Sequence, residues 1–133
     1  MKKITLSTIP GAFSIHRCSP ETTIPKAVTN ASFFSITKTA EELSVVIPAN
    51  ISLQSDTVDT GWGCFKVHGP LDFGLTGILA FLSDVLSKAD LSIFAISTYD
   101  TDYLFVKKEN MSLAEQALSD SGCEVFYDNH LEN

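Results

Sequence analysis

Between Gly69 and Leu79 the chain reads Gly-Pro-Leu-Asp-Phe-Gly-Leu-Thr-Gly-Ile-Leu, three glycines and one carboxylate running into an apolar stripe at helical spacing. A helix start presents backbone N–H groups with no intrahelical acceptor and a partial positive charge. Amides near Thr76, Gly77 and Ile78 therefore suit an anionic head group such as a carboxylate. Gly74 and Gly77 lack a Cβ and let that group approach the main chain closely. Asp72, beside the same terminus, offers the opposite charge to an ammonium, and Asp100 and Asp102 add charge for a cationic side chain. Each of these residues has a plainer explanation as well. An acid at Asp72 is favoured at a helix N-cap or first turn, which does not exclude a ligand contact there. Asp100 and Asp102 are at home in a tight turn, and Gly69-Pro70 and Gly74 in turn punctuation.

Other chemistries find less support. Gly69, Gly74 and Gly77 match neither the dinucleotide fingerprint nor a P-loop, and no Gly-x-Ser-x-Gly nucleophile elbow occurs. Cys64 and His68 share a strand face but lie about 13 Å apart at a strand's rise, too far to share a zinc ion. His16 and Cys18, about 7 Å apart on the same reckoning, lack a second pair of ligands. Neither a cofactor nor a metal is expected, and no catalytic residue is assigned. Sixteen acidic residues against nine Lys plus Arg give a net charge of −7, which repels polyphosphate and speaks against nucleic acid. No apolar run reaches the ~20 residues that span a bilayer, and Ile4 to Thr8 alternates instead of forming a signal-peptide core. Three cysteines at unrelated spacings describe no disulfide framework, so buried reduced thiols and a cytoplasmic location are expected.

These side chains need elements to hold them. Gly63 to His68 alternates as a strand, and Gly69 to Gly74 breaks it. Leu75, Ile78, Leu79, Leu82, Val85, Leu86 and Ala89 form one helical stripe. The apolar run Leu91 to Thr98 reads as a central strand, followed by a turn at Tyr99 to Asp102 and a return strand from Tyr103 to Val106. Ser112 and Glu115 have capping-box spacing ahead of a helix through Leu113, Ala117 and Leu118, which Gly122 stops. Glu124 to Tyr127 is the last strand. The order βαββαβ predicts an α+β, ferredoxin-like fold: a four-stranded antiparallel sheet with both helices on one face. Residues 1–60 are strand-rich. A hairpin around Pro10-Gly11 and another from Ser32 to Ile47 with its bend at Thr39 to Glu42 are expected, in a reduced βαββ unit packed against the rest. Trp62 suits the core better than ligand stacking.

The stretch Gly69 to Leu79, together with Ile96-Ser97-Thr98-Tyr99-Asp100-Thr101-Asp102-Tyr103, resembles the ACT-domain family. More narrowly, it is similar to small bacterial ACT proteins related to the ACT domains of cytosolic arginine sensors. Ser32 to Thr39 with Glu42-Leu43-Ser44 is similar to the N-terminal part of that group. The resemblance implies a degenerate ACT-like unit at 1–60 and an ACT domain at 61–133. It also implies an amino-acid ligand held between Gly69–Ile78 and Ser97–Asp102 of the same or a second subunit. Gly69, Asp72, Gly74, Leu75, Thr76, Gly77, Ile78, Thr98, Asp100 and Asp102 are thereby the candidate binding residues. A homodimer, an unidentified regulated protein and no membrane partner complete the expectation. A module that dimerises or docks on a partner without any ligand is the alternative.

Overall fold

The computed structural model describes residues 3–68 and 77–127. In chain order its elements are β1 (Thr5–Cys18), α1 (Lys26–Thr29), β2 (Ser35–Lys38), β3 (Leu43–Pro48), β4 (Thr57–Val67), α2 (Ile78–Lys88), β5 (Ile93–Ser97), β6 (Asp102–Lys107), α3 (Met111–Asp120) and β7 (Glu124–Tyr127). Two compact units result: residues 11–62, and residues 1–10 with 63–133. The first ten residues, expected with the N-terminal half, thus belong with the C-terminal one.

In that C-terminal unit the βαββαβ order is realised by β4, α2, β5, β6, α3 and β7. The ferredoxin-like α+β expectation holds, with one correction: β7 pairs with β1, not with β4. The strand order is β7-β1-β4-β6-β5, so residues Thr5 to Thr8 lie between the strands expected as neighbours, parallel to Glu124–Tyr127. Alternation explains the insertion. Leu6 is fully buried and joins Phe65 and Val67 of β4, Leu104 and Val106 of β6, Leu82 and Leu86 of α2, and Ala114 and Leu118 of α3 in one core. Both helices therefore cover the same face of the sheet.

Other expectations change in detail. The run from Leu91 is not a central strand: β5 ends the strand order. Its continuous apolarity arises because Ile93 packs on the helical core while Phe94, on the other face, stacks on Phe105 with centroids 4.3 Å apart. No capping box forms at Ser112, which lies inside α3 after a single 3-10 turn at Lys108–Asn110; Asn110 is the N-cap and makes no side-chain cap bond. Glu115 instead accepts a hydrogen bond from the Tyr127 hydroxyl at 2.9 Å. This start turns Ala114 and Leu118 inward and leaves Leu113 61% exposed. Gly122 is left-handed and stops α3 as expected, with Cys123 N–H on the Leu118 carbonyl at 3.0 Å.

Within residues 11–62 the strand order is β2-β3-β1-β4. The Pro10-Gly11 hairpin does not exist; β1 passes through it as one strand. A Pro-Gly pair suits a type II turn, whose twist splays hairpin strands, and Gly11 spends its left-handed φ of +87° without reversing the chain. The second hairpin is as expected, with Thr39 Oγ1 accepting the Glu41 and Glu42 amides at its bend. Cys18, Val28, Leu43, Val45 and Ile47 form this unit's core, and Trp62 is buried. His16 is buried too, its Nδ1 bonded to Ser55 Oγ at 2.9 Å. All three cysteines are free and buried. No described helix is long and apolar enough to cross a membrane.

Two predictions follow from this packing. Leu6→Ala lowers unfolding free energy by about 2–5 kcal/mol, a core-sized loss; an effect under about 0.5 kcal/mol in urea titration refutes the inserted strand's role. Burial depresses the affinity of His16 for a proton below its ordinary 6.5. The unfolded chain then binds more protons than the folded one below that value, so stability is full above it and declines as pH falls from about 6.5. His16→Asn flattens the melting temperature between pH 7 and 5; a slope equal to the wild type's shows that another group is responsible.

Candidate ligand-binding site

Gly69, Asp72, Gly74, Leu75 and Thr76 lie outside the described residues. What surrounds that stretch is well defined. Gly77 is the N-cap of α2, left-handed with φ +87°, and its carbonyl takes the Phe81 amide at 2.8 Å. Open space lies where its Cβ would stand, so the backbone conformation and not crowding calls for glycine. Gly77 has no side chain to cap the first-turn amides, which by helix geometry find no acceptor within the helix. Ile78 packs against the core and seats the helix start on the sheet.

The turn joining β5 and β6 is tied internally. Thr98 N–H donates to the Thr101 carbonyl at 2.7 Å, the Thr98 hydroxyl donates to the same oxygen at 3.1 Å, and Thr101 N–H returns to Thr98 Oγ1 at 3.2 Å. Thr98 is thus fully engaged in shaping the turn. The Asp102 carboxylate accepts the Ser97 hydroxyl, which closes the mouth of the hairpin. Asp100 is exposed at the tip. Its charge reaches the half-buried Tyr103, whose hydroxyl is pushed above its ordinary range first by burial, then by Cys64 and Asp100.

One contact joins this turn to the rest of the site. The buried Thr101 hydroxyl donates to the Val67 carbonyl, at the end of β4. The hairpin tip therefore stands beside the point where the chain enters residues 69–76. On the other side of β4, His68 N–H donates to the Thr5 carbonyl at 2.8 Å, and the His68 Nε2 is bonded to the hydroxyl of Ser7. The corner brings together Thr98, Asp100, Asp102 and the end of β4. Ser7, His68, Thr101 and Tyr103 were missed as members of it. Thr101 and Tyr103 sit in the stretch already singled out, but nothing local marks Ser7, whose partner is 61 positions away.

The thiols do not add reactive chemistry. Burial raises the Cys64 thiol far above its ordinary value, keeping it protonated, and it donates weakly to the Phe65 carbonyl at 3.7 Å. Burial raises the Cys123 thiol too, as it does that of Cys18, to which Asp56 adds. Among the described residues no three His, Cys, Asp or Glu side chains are grouped to hold a metal ion.

Comparison with known proteins places this geometry. The ACT-domain family model matches residues 57–120, the stretch that folds as βαββαβ, and a separate N-terminal-domain model matches residues 11–52. The crystal structure of protein Atu0741 from Agobacterium tumefaciens is similar over 98% of this chain and 97% of its own, with 34% identity and a TM-score of 0.88. Human CASTOR3P is 28% identical over 124 residues, covering 79% of this chain and 75% of that protein. Aspartate kinase from Clostridium acetobutylicum, described as an allosteric enzyme, shares the fold at a TM-score of 0.63 and 12% identity, over 85% of this chain and 33% of the kinase. With the family match lying on the βαββαβ stretch and a relative of one-third identity superposing end to end, the chain belongs to the ACT-domain proteins.

Proposed function

We propose that this protein is a non-catalytic, cytoplasmic sensor that binds an amino acid at the corner where β4 ends and regulates a partner protein. The observation that carries the reading is the Thr101–Val67 bond, because it sets the acidic β5–β6 turn beside the start of residues 69–76. An amino acid carries a carboxylate and an ammonium on neighbouring atoms. The first-turn amides of α2 suit the carboxylate, and Asp72, Asp100 and Asp102 suit the ammonium or a cationic side chain. Residues 11–62 fit a reduced ACT-like unit: their four strands lie in the order of a βαββαβ sheet, α1 is a single turn, and no helix stands between β3 and β4.

A screen of the twenty amino acids should raise the melting temperature with one of them, by a few degrees at about a hundred times its dissociation constant. Asp72→Ala should weaken that binding by more than it lowers stability. Equal affinity with lost stability makes Asp72 a helix cap alone. Should none of the twenty stabilise the protein, the ligand-free interaction module takes the lead.

The β5 edge supports a second copy as partner in either case. β5 pairs only with β6 among the described strands, and Ile93-Phe94-Ala95-Ile96-Ser97 carries neither the charges nor the proline that commonly protect a sheet edge. Sedimentation at micromolar concentration should find a dimer, and Ala95→Lys should shift it toward monomer. A monomeric wild type removes the homodimer from the proposal.

A further inference from the structure

We propose that His68, held by Ser7, is the side chain that recognises the carboxylate of the bound amino acid. The proposal rests on the amino-acid reading of the site and adds a residue and a chemical role to it. Ser7 is 5% exposed, and its hydroxyl meets His68 Nε2, whereas His68 itself is exposed at the last described position before residues 69–76. The backbone there is fixed from both sides. Thr5 takes the His68 amide, and Thr101 holds the Val67 carbonyl. A side chain at this point has its main chain and one ring nitrogen already committed, so little freedom remains to be lost on binding.

The chemistry follows from the ring. In the neutral imidazole one nitrogen donates and the other accepts. With the serine hydroxyl donating to Nε2, the proton resides on Nδ1, which is left as a donor toward the corner. A protein with a net charge of −7 and two aspartates on the β5–β6 turn needs such a donor beside an anionic group. Ser7 is then a positioning residue that fixes the tautomer and ring orientation, and His68 is the contact.

The test compares the twenty amino acids with their carboxamides, which keep the ammonium and side chain but lack the negative charge. Titration calorimetry on the full chain should show that His68→Ala weakens the amino acid that stabilises the wild type most by about tenfold, the scale of one hydrogen bond to a charged group, while its carboxamide binds unchanged. Ser7→Ala should reproduce part of that loss, and Ser7→Thr, which keeps a hydroxyl, should restore it. His68→Gln serves the same purpose if the alanine variant folds poorly, since ligand-free melting temperatures separate folding from recognition. Equal weakening of amino acid and carboxamide, or no weakening of either, overturns the assignment while leaving the sensor reading intact. If the wild type binds none of the twenty, both fall together.

Discussion

Four residues near the beginning of the chain, Thr5 to Thr8, separate β4 from β7, two strands that would otherwise meet. Everything in the C-terminal unit is arranged around that separation. Leu6 fills the core beneath both helices, the Thr5 carbonyl takes the His68 amide, the Ile4 carbonyl takes the Glu124 amide, and Ser7 reaches the His68 ring. The energetic centre of this arrangement is apolar. A buried leucine side chain contributes about 1.5–3 kcal/mol from burial, more than any one of the hydrogen bonds around it. The polar contacts decide geometry: they set where β4 stops and which way His68 points.

That division of labour explains why the candidate site sits at a corner and not on the sheet. The helical face is closed by Leu82, Leu86, Ala114 and Leu118. On the other face Phe94 and Phe105 stack, leaving no polar floor between them. Backbone groups without partners in regular structure are found only where elements end, and the start of α2, the β5–β6 turn and the end of β4 are three such ends. Two of them, the turn and the end of β4, are joined by the Thr101 hydroxyl.

Local patterns were readable where local physics decides. The stripe of α2, the β5–β6 turn, the Thr39 bend and the left-handed stop at Gly122 each follow from residues within a few positions of one another. The acids at Asp100 and Asp102 were found because a turn and its charges lie in one short stretch. The failures share a cause. Pro10-Gly11 resembles a hairpin turn, and only the register with β3 and β7 shows a straight passage. Ser112 and Glu115 have the spacing of a cap, but the preceding 3-10 turn moves the helix start past them. An apolar run at β5 is equally compatible with a centre or an edge until its neighbours are known. Ser7 gives no local sign of pairing with His68, because the contact depends on a strand order that no short window encodes.

The inserted strand also dictates the timetable of folding. It is the first segment to leave the ribosome, yet Ser7 finds its partner 61 positions later and Thr8 bonds to a carbonyl 118 positions away. Pairings of such span are slow to close, and the opening strand must stay unpaired on that side through nearly all of synthesis. An excision of the ACT domain beginning near residue 61 would discard an interior strand and leave β4 with a raw flank, a template for misassembly.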